Sequence, residues 1–176
     1  MNYYTYVGNF SDRLNNDDLV KNYHIPKKRE QYDWDPCRYD ELCDELKYLC
    51  FRGVSALEKE DNILYNNPRI IVERHHRILK KNKKIKARLS IHSDREGPAN
   101  GPCYSILYYY HIDPKINNGE LHFYDEEYGK TPKKTFHPKS GDLIAFDDNI
   151  YHCPGEFTTN NTTPVVRGLL AMFVIL

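Results

Sequence analysis

The sequence predicts a mainly β domain with N-terminal helices, built as a β-sandwich or a jelly-roll barrel. Three observations predict it. From about Lys84 onward, seven short strand-like runs recur at regular spacing between turn signals. Before that point, apolar residues recur at helical spacing. The last run, RGLLAMFVIL, is apolar on both sides of a strand. Leu169, Ala171, Phe173 and Ile175 lie on one side, and Leu170, Met172, Val174 and Leu176 on the other. Such a strand needs cover on both faces. At 176 residues the chain reads as a single domain with a sizeable core. Residues 1–85 form a helical and irregular support, packed on an outer face of a β core at 86–176.

The elements follow in order. Asp35-Pro36 is a candidate N-cap and first-turn pair. It precedes RYDELCDELKYLCFRGVSALEK, where Tyr39, Leu42, Cys43, Leu46, Leu49 and Cys50 recur at helical spacing, with Gly53 as a candidate break. A second, basic helix is expected from about Pro68 to Lys81, with Ile70, Ile71, Ile78 and Leu79 as its apolar residues and Asn82 as its stop. Strands are expected at 85–92, 103–111, 119–124, 133–137, 142–147, 151–157 and 164–175. Gly97-Pro98, Gly101-Pro102, Asn117-Asn118-Gly119, Ser140-Gly141-Asp142, Asp147-Asp148-Asn149 and Thr158 to Pro164 separate them. In SILYYYH, strict alternation places Ser105, Leu107, Tyr109 and His111 on one face, and Ile106, Tyr108 and Tyr110 on the other.

Charge balances at 25 basic and 25 acidic residues, so no global field points to nucleic acid or membrane. Residues 61–90 carry nine Lys or Arg against Asp61 and Glu73. The run ERHHRILKKNKKIKAR could guide an acidic partner, although a solvated face explains it more simply. The five cysteines form no C-x-x-C pair, no signal peptide is evident, and no apolar run is long enough to span a bilayer. A reducing, cytoplasmic setting is expected.

Four residue types in a fixed order carry the chemistry. In a strand, His92 and Asp94 of His92-Ser93-Asp94 point to one side, and His152 would add a second imidazole. Two histidines and one carboxylate leave coordination positions open, the ligand set of non-heme Fe(II) oxygenases. A second H-x-D, His111-Ile112-Asp113, runs into Pro114 and reads as a strand exit. Arg167 sits on a strand apolar on both faces, where a guanidinium needs a partner. A bidentate carboxylate suits it. A dicarboxylate cosubstrate would supply one, and so would an internal ion pair to Asp142 or Glu120. Tyr109 could assist Arg167 or simply pack in the core.

From about Lys86 to Leu176 the chain resembles the Fe(II)- and 2-oxoglutarate-dependent oxygenase superfamily, with most similarity to its prolyl-hydroxylase-like branch. The resemblance rests on H-S-D, SILYYYH, NNGELHFYD, HPKSGDLIAFDDNIYHCPGEF and VVRGLLAMF in order. It implies a double-stranded β-helix, a jelly-roll and cupin-like barrel. It further implies Fe(II) held by His92, Asp94 and His152, with Arg167 and Tyr109 on the distal carboxylate of 2-oxoglutarate. O2 would be the co-oxidant and ascorbate a reductant. The implied activity is hydroxylation of a C–H bond on a protein or peptide side chain, with proline the leading candidate. The loop TTNNTTP separates Arg167 from His152 by more than that branch's usual spacing. Two alternatives stand beside this reading: a nucleic-acid demethylase, disfavoured because Gly168 to Leu176 carries no second arginine, and a non-catalytic jelly-roll binding module. Substrate selection is expected from the N-terminal half and the loop at Arg95–Pro102.

Overall fold

The computed structural model describes residues 2–12, 37–57, 62–81, 84–85, 90–96 and 103–175. Its strands are β1 (Thr5–Asn9), β2 (Cys37–Arg38), β3 (Arg69–Leu79), β4 (Lys84–Ile85), β5 (Cys103–Ile112), β6 (Asn117–Asn118), β7 (Leu121–Tyr124), β8 (Lys134–Phe136), β9 (Asp142–Asp147), β10 (Tyr151–Pro154), β11 (Phe157–Thr158) and β12 (Val165–Ile175). Helices α1 (Asp44–Leu57) and α2 (Asn62–Tyr65) lie between β2 and β3. A six-stranded sheet runs β1-β9-β5-β12-β3-β2, and two three-stranded sheets run β10-β7-β8 and β4-β11-β6. All pairings are antiparallel. This is the mainly β, jelly-roll architecture that the strand count predicts.

The six-stranded sheet separates two apolar layers. On its outer side, α1 packs Leu46, Leu49, Cys50 and Val54 against Ile106, Tyr108, Leu170, Met172 and Val174. On its inner side, Leu107, Tyr109, Ile144, Phe146 and Ala171 meet Leu121, Phe123 and Phe136 from the β10-β7-β8 sheet. Strand β12 is therefore covered on both faces, which accounts for its unbroken apolar run. Gly53 lies inside α1 and does not end it. Its lack of a side chain lets the helix approach Ile106, since a Cβ there would sit 2.8 Å from that residue's side chain.

Several expectations need correction. The basic segment from Pro68 to Lys81 is not a helix. Arg69–Leu79 is an eleven-residue strand, paired along its length with β12. The β-branched Ile70, Ile71 and Val72 favour that state, and the long apolar neighbour supplies the ladder. The N-terminal half thus builds part of the main sheet as well as supporting it. Strand β1 was also not foreseen. Asp35 and Pro36 lie outside the described residues, and the helix starts later, at Asp44. The expected strand at 85–92 is described only at Lys84–Ile85 and around His92.

One irregularity positions the site. Along β5 and β12 the register reads Leu170↔Tyr108 but Gly168↔His111, so β5 carries one extra residue there. This β-bulge moves every later side chain to the opposite face. Tyr109 stays inside, whereas His111 is turned outward opposite Gly168, contrary to strict alternation. Tyr110 occupies the space that a side chain at residue 168 would fill.

Candidate metal centre and anion pocket

The structure brings His92, Asp94 and His152 together, with one potential ligand atom from each lying within 4.8 Å of the others. His152 comes from β10. His92 reaches it through an isolated antiparallel bridge, with reciprocal bonds His92 N–H to His152 O at 3.1 Å and His152 N–H to His92 O at 2.8 Å. Asp94 opens a short 3-10 turn at Asp94–Glu96. Its approach to His92 therefore arises from that turn and not from the alternation of a continuous strand. The Asp94 N–H donates to Asp148 O at 2.9 Å, which ties the turn to the loop after β9.

Both imidazoles are held the same way. His92 Nδ1 lies 2.9 Å from Ser90 O, and His152 Nδ1 lies 3.0 Å from Ile150 O. A carbonyl can only accept, so each Nδ1 carries a proton, and the neutral tautomer compatible with this bond is the one whose Nε2 presents a lone pair. The two Nε2 atoms face the Asp94 carboxylate, His92 at 3.6 Å from Oδ1 and His152 at 3.7 Å from Oδ2. Burial shifts His152 toward its neutral form, against the opposing pull of Asp94; the neighbouring His92 adds to the lowering. A neutral ring is the state a metal ion needs. Two imidazoles and one carboxylate, with both Nδ1 atoms held by carbonyls, fit a divalent transition metal. The second H-x-D does not join this group. His111 is exposed on the other face, and Asp113 accepts from Lys115 N–H in the following turn.

Arg167 lies on the inner face of β12 and is 6 % exposed. Its guanidinium carbon stands 5.4 Å from the Tyr109 ring centre and 5.0 Å from that of Phe157. Its Nη2 donates a long hydrogen bond to Gly119 O at 3.4 Å, and its guanidinium also interacts with the Tyr109 hydroxyl. No described carboxylate pairs with it. Asp142 is occupied by Asn9 Nδ2 at 2.8 Å, Tyr6 Oη at 3.1 Å and Lys139 N–H at 2.8 Å. Glu120 faces His137 at 3.6 Å. The internal ion pairs considered for Arg167 are therefore not formed. Gly119 reaches this position with φ at +87°, a left-handed conformation that favours glycine. Tyr109 is fully buried beside Arg167, and burial pushes its hydroxyl up to about 12 while Arg167 pulls it down.

Sequence reasoning missed several participants. Phe157 and Gly119 frame Arg167, and the carbonyls of Ser90 and Ile150 fix the imidazoles. Backbone carbonyls carry no residue signature, so no motif could have revealed the last two. Ser105 did leave a signal, as a small polar residue on the same strand face as Leu107 and Tyr109. Its Oγ donates to Asp94 Oδ2 at 2.5 Å.

No protein-family model matches the chain, and no curated protein matches it. Solved structures do. The chain is similar to IDO from Bacillus thuringiensis, with 16% identity, 76% of this chain and 58% of that chain covered, and a TM-score of 0.55. It is also similar to a prolyl-4-hydroxylase from Pseudomonas putida, with 15% identity, 75% and 74% coverage, and a TM-score of 0.40. A third is an oxidoreductase of the 2OG-Fe(II) oxygenase family from Burkholderia pseudomallei, with 18% identity, 60% and 43% coverage, and a TM-score of 0.36. At these identities the likeness is one of fold, and IDO carries it. The chain spans less than two thirds of the length of the first and third of these structures. No described helix is long and apolar enough to cross a membrane.

Proposed function

We propose that the chain is an Fe(II)- and 2-oxoglutarate-dependent dioxygenase that hydroxylates a C–H bond. The observation that carries this reading is the pairing of a converging His92–Asp94–His152 donor set with Arg167, a buried cation that no described carboxylate neutralises. Tyr109 links the two: it lies against Arg167 and belongs to the same apolar layer as Phe123 and Phe146, the rings beside His152. A desolvated guanidinium without an anion is costly, and a dicarboxylate bound at the metal by one end and at Arg167 by the other removes that cost. The fold shared with IDO, and the sequence resemblance, support the same assignment.

Each residue has a role on this reading. His92 and His152 present Nε2 to the ion, and Asp94 lowers its net charge. Arg167 holds the distal carboxylate in a bidentate pair, and the Tyr109 hydroxyl, protonated throughout the physiological range, donates to the same group. Phe157 and Phe146 wall the site against water. Bound Fe(II) with 2-oxoglutarate and O2 supplies the oxidising power for hydroxylation, with succinate and CO2 as coproducts. The substrate proposed is a protein or peptide side chain, with proline the leading candidate by sequence resemblance.

Anaerobic titration of Fe(II) and 2-oxoglutarate into the metal-free protein tests the assignment. A visible metal-to-cosubstrate charge-transfer band is expected in the wild type. His152→Ala should abolish it, and Arg167→Ala should require at least about tenfold more 2-oxoglutarate, as loss of a charge-assisted bidentate contact implies. With Fe(II) shown to be bound, absence of the band and of 2-oxoglutarate binding would overturn the assignment and leave a non-catalytic jelly-roll module.

A further inference from the structure

We infer that Ser105 is a positioning residue that fixes how Asp94 presents itself to the metal; the inference rests on the metal-site reading above. Ser105 is fully buried on the inner face of β5. Its ladder partners on either side are Phe146 and Phe173. The next inward residue along its own strand is Leu107, a member of the inner apolar layer. A hydroxyl in such a setting is costly unless bonded. Its partner is Asp94 Oδ2, at 2.5 Å, in the range of a charge-assisted O–H···O⁻ bond.

The bond has a geometric consequence. Asp94 is anchored twice, at its main-chain N–H by Asp148 O and at Oδ2 by Ser105. The carboxylate plane is therefore set before any ion arrives. With Oδ2 engaged by a proton donor, Oδ1 is the oxygen left with full electron density. Both oxygens face an imidazole, Oδ1 toward His92 Nε2 at 3.6 Å and Oδ2 toward His152 Nε2 at 3.7 Å, so the Ser105 bond is what distinguishes them. Asp94 would then offer one oxygen to the ion. A carboxylate free to turn would place both oxygens on the ion and fill a position that the cosubstrate needs. Ser105 thus keeps the coordination face open as well as strengthening it.

Co(II) binding to the metal-free full chain provides the test, because its visible spectrum reports coordination number without turnover. Calorimetry gives its affinity in parallel. Ser105→Ala should weaken Co(II) binding by about 10- to 100-fold and change the ligand-field band intensities. Ser105→Thr, which keeps the hydroxyl, should return both toward wild type. Near-ultraviolet circular dichroism of the metal-free variants checks that the aromatic interior is intact. Should Ser105→Ala fail to fold, Ser105→Cys, similar in volume but a weak donor, replaces it with the same expectation. Unchanged affinity and spectrum in a folded variant lacking the hydroxyl would overturn the role of Ser105 while leaving the metal site standing. A wild-type chain that binds no Co(II) would overturn the metal-site reading itself, and this inference with it.

Discussion

At the scale of single residues, the interior is tightly specified around two groups of opposite character. The His92, Asp94 and His152 donors are each held by an identified partner, whereas Arg167 meets aromatic faces, the Tyr109 hydroxyl and, at long range, Gly119 O, with no described carboxylate beside it. Close by, Gly168 shows how little tolerance the surrounding sheet has. A Cβ there would fall 2.2 Å from the Tyr110 ring, whose hydroxyl is fixed to His76 Nδ1 at 2.8 Å. Gly168→Ala should therefore destabilise the protein by about 3 kcal/mol, read as a lowered urea midpoint; an unchanged midpoint would mean that Tyr110 can vacate this space freely. The chemistry-bearing side chains were legible in the sequence because their types are costly without partners. A guanidinium in an apolar strand and an H-x-D beside a late histidine demand an explanation. The fixing groups were not legible, since Ser90 and Ile150 act through backbone oxygens that any residue supplies.

Secondary elements show where local pattern fails. Ile70, Ile71, Ile78 and Leu79 fit a helical stripe and a strand equally, and the charged residues between them add helical propensity. What decides the state of β3 is β12, nearly ninety residues later, whose full-length ladder the segment completes. Strict alternation in SILYYYH failed for a related reason. The bulge opposite Gly168 is a property of the pair of strands and is not encoded by β5 alone. Helix α1, by contrast, was legible from spacing, apart from its start and the role of Gly53. That glycine supports a further prediction. Alanine is intrinsically better in a helix by about 1 kcal/mol, yet its Cβ would meet all three outer carbons of Ile106 at 2.8 Å. Overpacking of this kind costs about 1–3 kcal/mol. Gly53→Ala should be net destabilising by about 1 kcal/mol in chemical denaturation, and a stabilised variant would show that α1 can move off the sheet.

For the whole molecule, the reciprocal backbone bonds between His92 and His152 join chain segments sixty residues apart. Separation alone does not order such contacts, since β3 and β12 pair across 86 to 106 residues; the apolar surface each contact buries does. The β12 ladders with β3 and β5 bury much of the apolar surface, and they supply the framework of a folding nucleus. A contact that closes a long loop and buries little by itself tends to form after such a framework exists. An ion bound across that contact then acts on departure from the native state rather than on arrival. At a hundredfold excess over its dissociation constant, Co(II) should add about 2.7 kcal/mol of stability. Stopped-flow kinetics should place nearly all of it in slower unfolding, with the refolding rate unchanged. Faster refolding in the presence of metal would mean that the bridge is already made at the barrier. With refolding unchanged, the chain would fold first and take up metal last, and the ion would then keep it folded longer.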